Sequence, residues 1–181
     1  EKKMYWWGIP GIGLAGVNDF LSIFLLYYYN QVLGLSAALA GLALFISVVF
    51  DAISDPVIAY WSDRHKGEYG RRIPFMIMGI LPMSFCCLAL FVLQLGEEQW
   101  ILFAQLTLLI VLFRVSQTIF AVPRFALGVE LYKDYSKRNQ LIATDRVFEI
   151  FGIGLCLGPI MFLMPSWDHA EFYPWAALWV S

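Results

Sequence analysis

Long apolar runs separated by short polar connections set the pattern of this chain. Runs near residues 7–30, 37–62, 74–95, 99–125 and 140–164 each approach the roughly 20 residues that a membrane-spanning helix needs. A sixth begins near Tyr173 and reaches only Ser181, too short to cross, which predicts that the chain is part of a longer protein. The expected fold is an all-α membrane bundle over residues 1–181, with its sixth helix incomplete.

Composition sharpens this picture. The chain is 60% hydrophobic and 14% charged, with 15 Phe, 9 Tyr and 7 Trp, more apolar surface than a soluble domain of this size hides. A net charge of −2 without a basic patch gives no reason to expect nucleic acid. Cys86, Cys87 and Cys156 sit inside apolar runs, away from any histidine at metal-ligand spacing, and read as packing residues. No short apolar segment with a cleavage site opens the chain, so a signal peptide is not expected.

The basic residues set the orientation. Lys2 and Lys3 precede the first run, Arg64, Lys66, Arg71 and Arg72 fill the second connection, and Lys133, Lys137 and Arg138 the fourth. The first, third and fifth connections hold no Lys or Arg, only acids such as Glu97, Glu98, Asp168 and Glu171. The positive-inside rule then places the N-terminus in the cytoplasm of a multi-pass protein of the inner or plasma membrane.

Charge inside the runs carries the candidate chemistry. Asp51 and Asp55 lie four residues apart on one helix face, with Ser54 on the adjoining strip. An ionised carboxylate in hydrocarbon costs at least a few kcal/mol and therefore faces a protein interior, a cavity or a cation. Two acids on one stripe suit a small cation; the plainer alternative is a pair neutralised by a buried arginine. Asp19, Arg114, Arg124 and Arg146 also fall in or near the runs. At about 1.5 Å per helical residue, Asp55 and Thr118 reach the same level, and Asp19 and Arg146 come close to it from the other side. Arg114, Thr118, Ala121 and Phe125 share one stripe, which Pro123 interrupts, freeing a carbonyl to bend the helix or meet a ligand. For each arginine the alternative is a structural ion pair with a neighbouring helix. Asp145 and Glu149 read as interface or partner-helix residues outside the site. No activated nucleophile, metal cluster or phosphate loop is legible, so an enzyme is not expected.

The connection Ser62-Asp63-Arg64-His65-Lys66-Gly67-Glu68-Tyr69-Gly70-Arg71-Arg72 reads either as a solvated loop or as a latch between helix ends. Its Ser62-Asp63-Arg64 and Gly70-Arg71-Arg72 resemble the loop between helices two and three of the major facilitator superfamily, with a longer spacer between the halves. A narrower resemblance, to the glycoside–pentoside–hexuronide cation symporters, runs over almost the whole chain. It rests on Asn18-Asp19-Phe20, Tyr27-Tyr28-Tyr29, Val32-Leu33-Gly34-Leu35-Ser36 and Phe50-Asp51-Ala52-Ile53-Ser54-Asp55-Pro56. Thr118-Ile119-Phe120-Ala121-Val122-Pro123, Ala126-Leu127-Gly128-Val129-Glu130-Leu131 and Arg146 complete it.

The resemblance implies the N-terminal six-helix half of a twelve-helix transporter, working with a C-terminal half of the same protein in a lipid bilayer. It implies symport of a sugar or glycoside with Na⁺ or H⁺ by alternating access, with no cofactor. The implied cation site is Asp51, Ser54, Asp55 and Thr118, with Na⁺ at the two aspartates. The implied substrate site is Asn18, Asp19, Phe125 and Arg146, and the latch is Asp63, Arg64, Gly70, Arg71 and Arg72. Ala121 and Phe125 stand where melibiose permease-like members have an acid and a tryptophan, so galactoside specificity does not carry over. Arg124 joins the candidate substrate residues, either favouring an acidic sugar, pairing with Asp19, or snorkelling to the headgroups. Two other functions remain open: lysolipid transport on the same fold, and a non-transporting sensor or channel.

Overall fold

The computed structural model describes residues 2–65, 72–132, 134–163 and 172–180, with residues 2–6 and 163 as backbone only. Lys66, Arg71, Lys133, Asp168 and Glu171, which helped to set the expected orientation, lie outside them, as does Gly70. Six helices follow in order: α1 (Lys2–Tyr27), α2 (Ala37–Arg64), α3 (Ile73–Val92), α4 (Gln99–Leu131), α5 (Tyr135–Leu163) and α6 (Phe172–Val180). A π-helical turn, Tyr28–Val32, extends α1, and no strand occurs among the described residues. Four helical segments, Trp7–Val32, Ala37–Arg64, Ile73–Val92 and Gln99–Leu131, are long and apolar enough to cross a membrane.

Each of α1 to α5 contains an internal proline: Pro10, Pro56, Pro82, Pro123 and Pro159. Such residues would break short soluble helices, but in a membrane bundle neighbouring helices and side chains satisfy the freed carbonyls. Gly34, at φ 74°, turns the chain between α1 and α2. Ser36 then caps α2, its Oγ accepting from the Leu39 N–H at 3.4 Å.

The helices pack as two sets. α4 lies between α2 and α3, while α1 runs against α5, and α6 closes on α3 and α1. The α1–α5 crossing depends on small residues, because only these let two backbones approach without a preference of apolar side chains for each other over lipid. A Cβ on Gly152 would overlap the main-chain oxygen of Ile12 and lie 2.7 Å from its Cα. Backbone cannot step aside as a side-chain tip can. Gly152→Ala is therefore expected to destabilise the bundle by about 1–3 kcal/mol, whereas Gly154→Ala, which faces open space, leaves it unchanged or slightly firmer. Thermal unfolding of the two variants side by side checks this; equal midpoints would rule out a close α1–α5 crossing.

At the Gly34 end an aromatic cluster seals the interior. Phe20, Phe24, Phe91, Tyr28, Tyr29 and Tyr173 are buried, and the Tyr28 and Tyr173 rings lie 4.8 Å apart. The tyrosine hydroxyls also complete α3, whose last carbonyls have no partner within the helix. Tyr28 donates to the Phe91 carbonyl at 3.1 Å and Tyr29 to that of Leu90 at 3.0 Å. Gln105 of α4 donates to the Tyr29 hydroxyl and the Leu93 carbonyl, and its Oε1 accepts from the Leu95 N–H at 3.1 Å. Large apolar residues such as Phe45, Phe50, Phe85, Phe151 and Phe162 cover the outer faces, where lipid tails or a partner are the natural neighbours.

Candidate functional site

Packing of α2 on α4 brings the first two candidate cation residues together. The Thr118 hydroxyl donates to Asp51 Oδ1 at 3.0 Å; Thr118 is buried and Asp51 half-buried. Ser54 turns back on its own helix, its Oγ donating to the Asp51 main-chain carbonyl at 3.0 Å. Its oxygen lone pairs stay available beside the carboxylate. Asp55, one turn along, is exposed and has no hydrogen-bond or ion-pair partner among the described residues. Pro56 and Pro123 remove the N–H groups that would engage the carbonyls of Ala52 and Ile119, next in sequence to Asp51 and Thr118. The donor set is thus hard oxygen, two carboxylates and two hydroxyls, suited to a small hard cation. Among the described residues no three His, Cys, Asp or Glu side chains gather as a metal cluster.

The candidate substrate residues are less closely assembled. Asp19 is half-buried on α1 and pairs with no described residue. Asn18 donates to the Leu14 carbonyl at 2.9 Å and lines a cavity of about 310 Å³ between α1, α2 and α4. Phe125 is exposed on α4. Arg146 is exposed on α5 and bonds Glu149 at 2.6 Å rather than Asp19.

Of the readings open for Arg124, the structure carries the ion pair with a neighbouring helix and not a substrate contact. Arg124 neither pairs with Asp19 nor snorkels toward a headgroup region. It is fully enclosed at the junction of α1, α4 and α5, where it forms an ion pair with Asp145, and donates to the Trp7 carbonyl at 3.1 Å. Its guanidinium also lies 5.3 Å from the Trp7 ring centre. The reason is Gly11: a Cβ there would stand 2.9 Å from Asp145 Oδ1, so the missing side chain is what makes room for the pair. Asp145, expected as an interface or partner-helix residue outside the site, is the buried partner-helix residue of this arginine.

The latch expectation meets a specific geometry. Arg72, buried at the start of α3, places Nη2 2.7 Å from Asp63 Oδ1 and 3.0 Å from Glu130 Oε1. It therefore ties the ends of α2 and α4 to the beginning of α3. Arg64 instead lies over the Tyr60 ring at 4.2 Å, and Gly70 and Arg71 lie outside the described residues. Glu130 was not among the expected latch residues, although it lies within the stretch Ala126 to Leu131 that carried the resemblance.

Comparison with known proteins gives consistent relatives. A family model described as MFS/sugar transport protein matches residues 6–172. An uncharacterized symporter of Synechocystis sp. is 33% identical over 156 residues, covering 83% of this chain and 29% of the relative. A putative glycoside/cation symporter of Escherichia coli is 30% identical over 148 residues, covering 77% of the chain and 32% of the relative. A sodium-dependent lysophosphatidylcholine symporter of Danio rerio is 29% identical over 142 residues, covering 76% and 25%. The chain thus spans less than a third of the length of these curated relatives.

Proposed function

The chain belongs to the MFS/sugar transport protein family, as one of the glycoside–pentoside–hexuronide cation symporters of the major facilitator superfamily, and from that membership we propose that it forms the N-terminal bundle of a protein that moves a sugar or glycoside together with Na⁺ or H⁺. The observation that supports this most is the Thr118–Asp51 hydrogen bond between α2 and α4, with Asp55, one turn away, unpaired among the described residues. A cation there neutralises carboxylates that are otherwise costly at this depth. Asp51, Ser54, Asp55 and Thr118 are its ligands, with the N-terminus in the cytoplasm and the protein in the inner or plasma membrane.

Substrate binds next to the cation, through Asn18, Asp19, Phe125 and Arg146. The Arg146–Glu149 pair does not stand in the way. Arg146 faces solvent while Glu149 is half-buried, so the pair is partly screened, and the guanidinium exchanges Glu149 for substrate oxygens. Arg124, enclosed with Asp145, is left out of this site. A carboxylate acceptor and a guanidinium donor suit sugar hydroxyls. Cation binding raises substrate affinity and, by reciprocity, substrate raises cation affinity, so the two cross together as two halves rock about the site.

A second reading, transport of a lysolipid, has its own support. Beside Ser54, on the outer face, an apolar groove of about 470 Å³ is lined by the exposed Phe50, Ile53, Trp61 and Met78 and by Ile119, a surface suited to an acyl chain. One experiment separates the readings. The full-length protein in proteoliposomes is given a Na⁺ or proton gradient and offered labelled glycosides or lysophosphatidylcholine. Gradient-driven accumulation of a glycoside is expected; accumulation of the lipid alone would overturn that reading, and accumulation of neither would favour a sensor or channel. For the active substrate, Asp19→Ala and Arg146→Ala are each expected to weaken binding more than about tenfold, roughly 1.4 kcal/mol. A smaller loss would make those residues structural.

A further inference from the structure

We infer that Arg114 is a specificity-determining residue that holds an acidic group of the substrate, in the cavity between α1, α2 and α4, one helical turn from the candidate cation site. The inference rests on the symport reading above and adds the chemical class of the substrate.

Register is the first argument. Thr118 and Asp51 meet across α4 and α2. Arg114 and Ser47 stand exactly four residues before them, so on two packed helices they form the next rung, about 6 Å along the axis. Ser47 and Arg114 both line the cavity of about 310 Å³, together with Asn18 and Ser22 of α1 and the apolar Leu21 and Phe113. Its volume lies at the small end of the range of about 300–1,000 Å³ for small-molecule sites.

Charge is the second. Among the described residues, Arg114 is the one ionisable residue lining that cavity. Arg72, Arg124 and Arg146 each face a carboxylate. Arg114 forms no ion pair among the described residues, and its buried Nε has no hydrogen-bond partner. A half-buried guanidinium without a counter-ion is unfavourable, and a planar fork of N–H donors matches an oxyanion.

The polar neighbours complement this. Ser22 donates to the Asn18 carbonyl at 2.8 Å and Ser47 to that of Leu44 at 2.7 Å, so both hydroxyls keep lone pairs for a ligand's O–H groups. The cavity thus offers acceptors for hydroxyls and one cationic donor fork for an acid. A hydroxylated monoanion, such as a glycoside bearing a carboxylate, satisfies both.

Position beside Asp51 also gives a route for coupling. Without a cation, the Asp51 carboxylate lies one turn from Arg114 and partly balances it. A cation on Asp51 cancels that negative charge and leaves Arg114 to attract the substrate's anion. Acidic substrate therefore binds more tightly when the cation is present.

The oxyanion can belong to a sugar acid or to a phosphodiester headgroup, and the test has an arm for each. In the full-length protein at saturating cation, calorimetry compares p-nitrophenyl β-D-glucuronide, p-nitrophenyl β-D-glucoside and lysophosphatidylcholine, in wild type, Arg114→Gln and Arg114→Lys. Wild type is expected to prefer the glucuronide to the glucoside. That ratio should fall at least tenfold in Arg114→Gln and recover in part in Arg114→Lys, with the glucoside affinity little changed. Lysophosphatidylcholine binding that depends on Arg114, without glycoside binding, would uphold the anion contact and overturn the glycoside reading. An unchanged ratio in Arg114→Gln, or equal loss for both glycosides with lowered thermal stability, would overturn the inference and mark Arg114 as a structural charge. Transport of the neutral glycoside in that case would leave the symport reading standing.

Discussion

Asp51→Asn is expected to abolish uphill accumulation of substrate while leaving exchange of substrate across the membrane partly intact. The amide retains an oxygen that can accept from Thr118 Oγ1, so the α2–α4 contact observed at 3.0 Å survives. What disappears is the negative charge that offsets a bound cation in a site of low dielectric. Without it the cation gradient has no grip on the transport cycle, whereas the substrate residues on α1 and α5 are untouched. Asp55→Asn, one turn further, should behave alike, since the exposed Asp55 carboxylate makes no ion pair among the described residues whose loss would unfold the bundle. The measurement is gradient-driven uptake beside counterflow exchange, in proteoliposomes containing the full-length protein. Full accumulation by either variant, at normal expression, would remove these aspartates from the coupling site.

The second large effect concerns stability. Arg124 and Asp145 are both buried, at 0% and 5% exposure, and face each other across the α4–α5 junction. Removing one partner strands the other charge away from solvent. Arg124→Met is therefore expected to destabilise the bundle by about 3–5 kcal/mol. The double variant, Arg124→Met with Asp145→Leu, should recover most of that loss, because two apolar side chains of similar size carry no desolvation cost. Thermal unfolding of the two singles and the double forms a cycle that isolates the pair. A single-variant loss below about 1 kcal/mol, within the range of an exposed pair, would contradict the enclosed geometry.

Much of this architecture is legible in the residues themselves. Apolar runs near the bilayer thickness locate the helices, because every backbone polar group in hydrocarbon must be satisfied within its own segment. They report apolar depth rather than helix length. α4 continues to Leu131, six residues past its apolar run, and α5 begins at Tyr135 before its own. Depth counting along two spans that enter from the same side sets Thr118 level with Asp55, whereas its hydroxyl bonds Asp51, one turn earlier; helical rise brings the two helices' polar residues to one slab but does not fix which of them meet.

Arg124 shows where that reasoning stops. An ion pair with a neighbouring helix is one of its readings in the sequence, but the partner depends on a gap at Gly11 on a third helix, and a missing side chain leaves no mark in hydropathy. Ser47 escaped for a related reason. A lone serine in an apolar run carries no charge, and only the register of α2 against α4 gives it a place beside Arg114. The Arg72–Glu130 pair likewise needs the ends of α3 and α4 to meet, which their separation in sequence does not reveal.

The central claim is that a cation at the Asp51–Thr118 rung and the substrate beside it bind as a linked pair. The most direct test measures substrate affinity without and with saturating Na⁺, and cation affinity without and with substrate, in the full-length protein, with a pH series in place of Na⁺ as the proton arm. The account predicts that one of the two cations strengthens substrate binding by some factor, that substrate strengthens binding of that cation by the same factor, and that both effects vanish in Asp51→Asn. Substrate affinity that is indifferent to both Na⁺ and pH, or coupling that persists undiminished in Asp51→Asn, would contradict it.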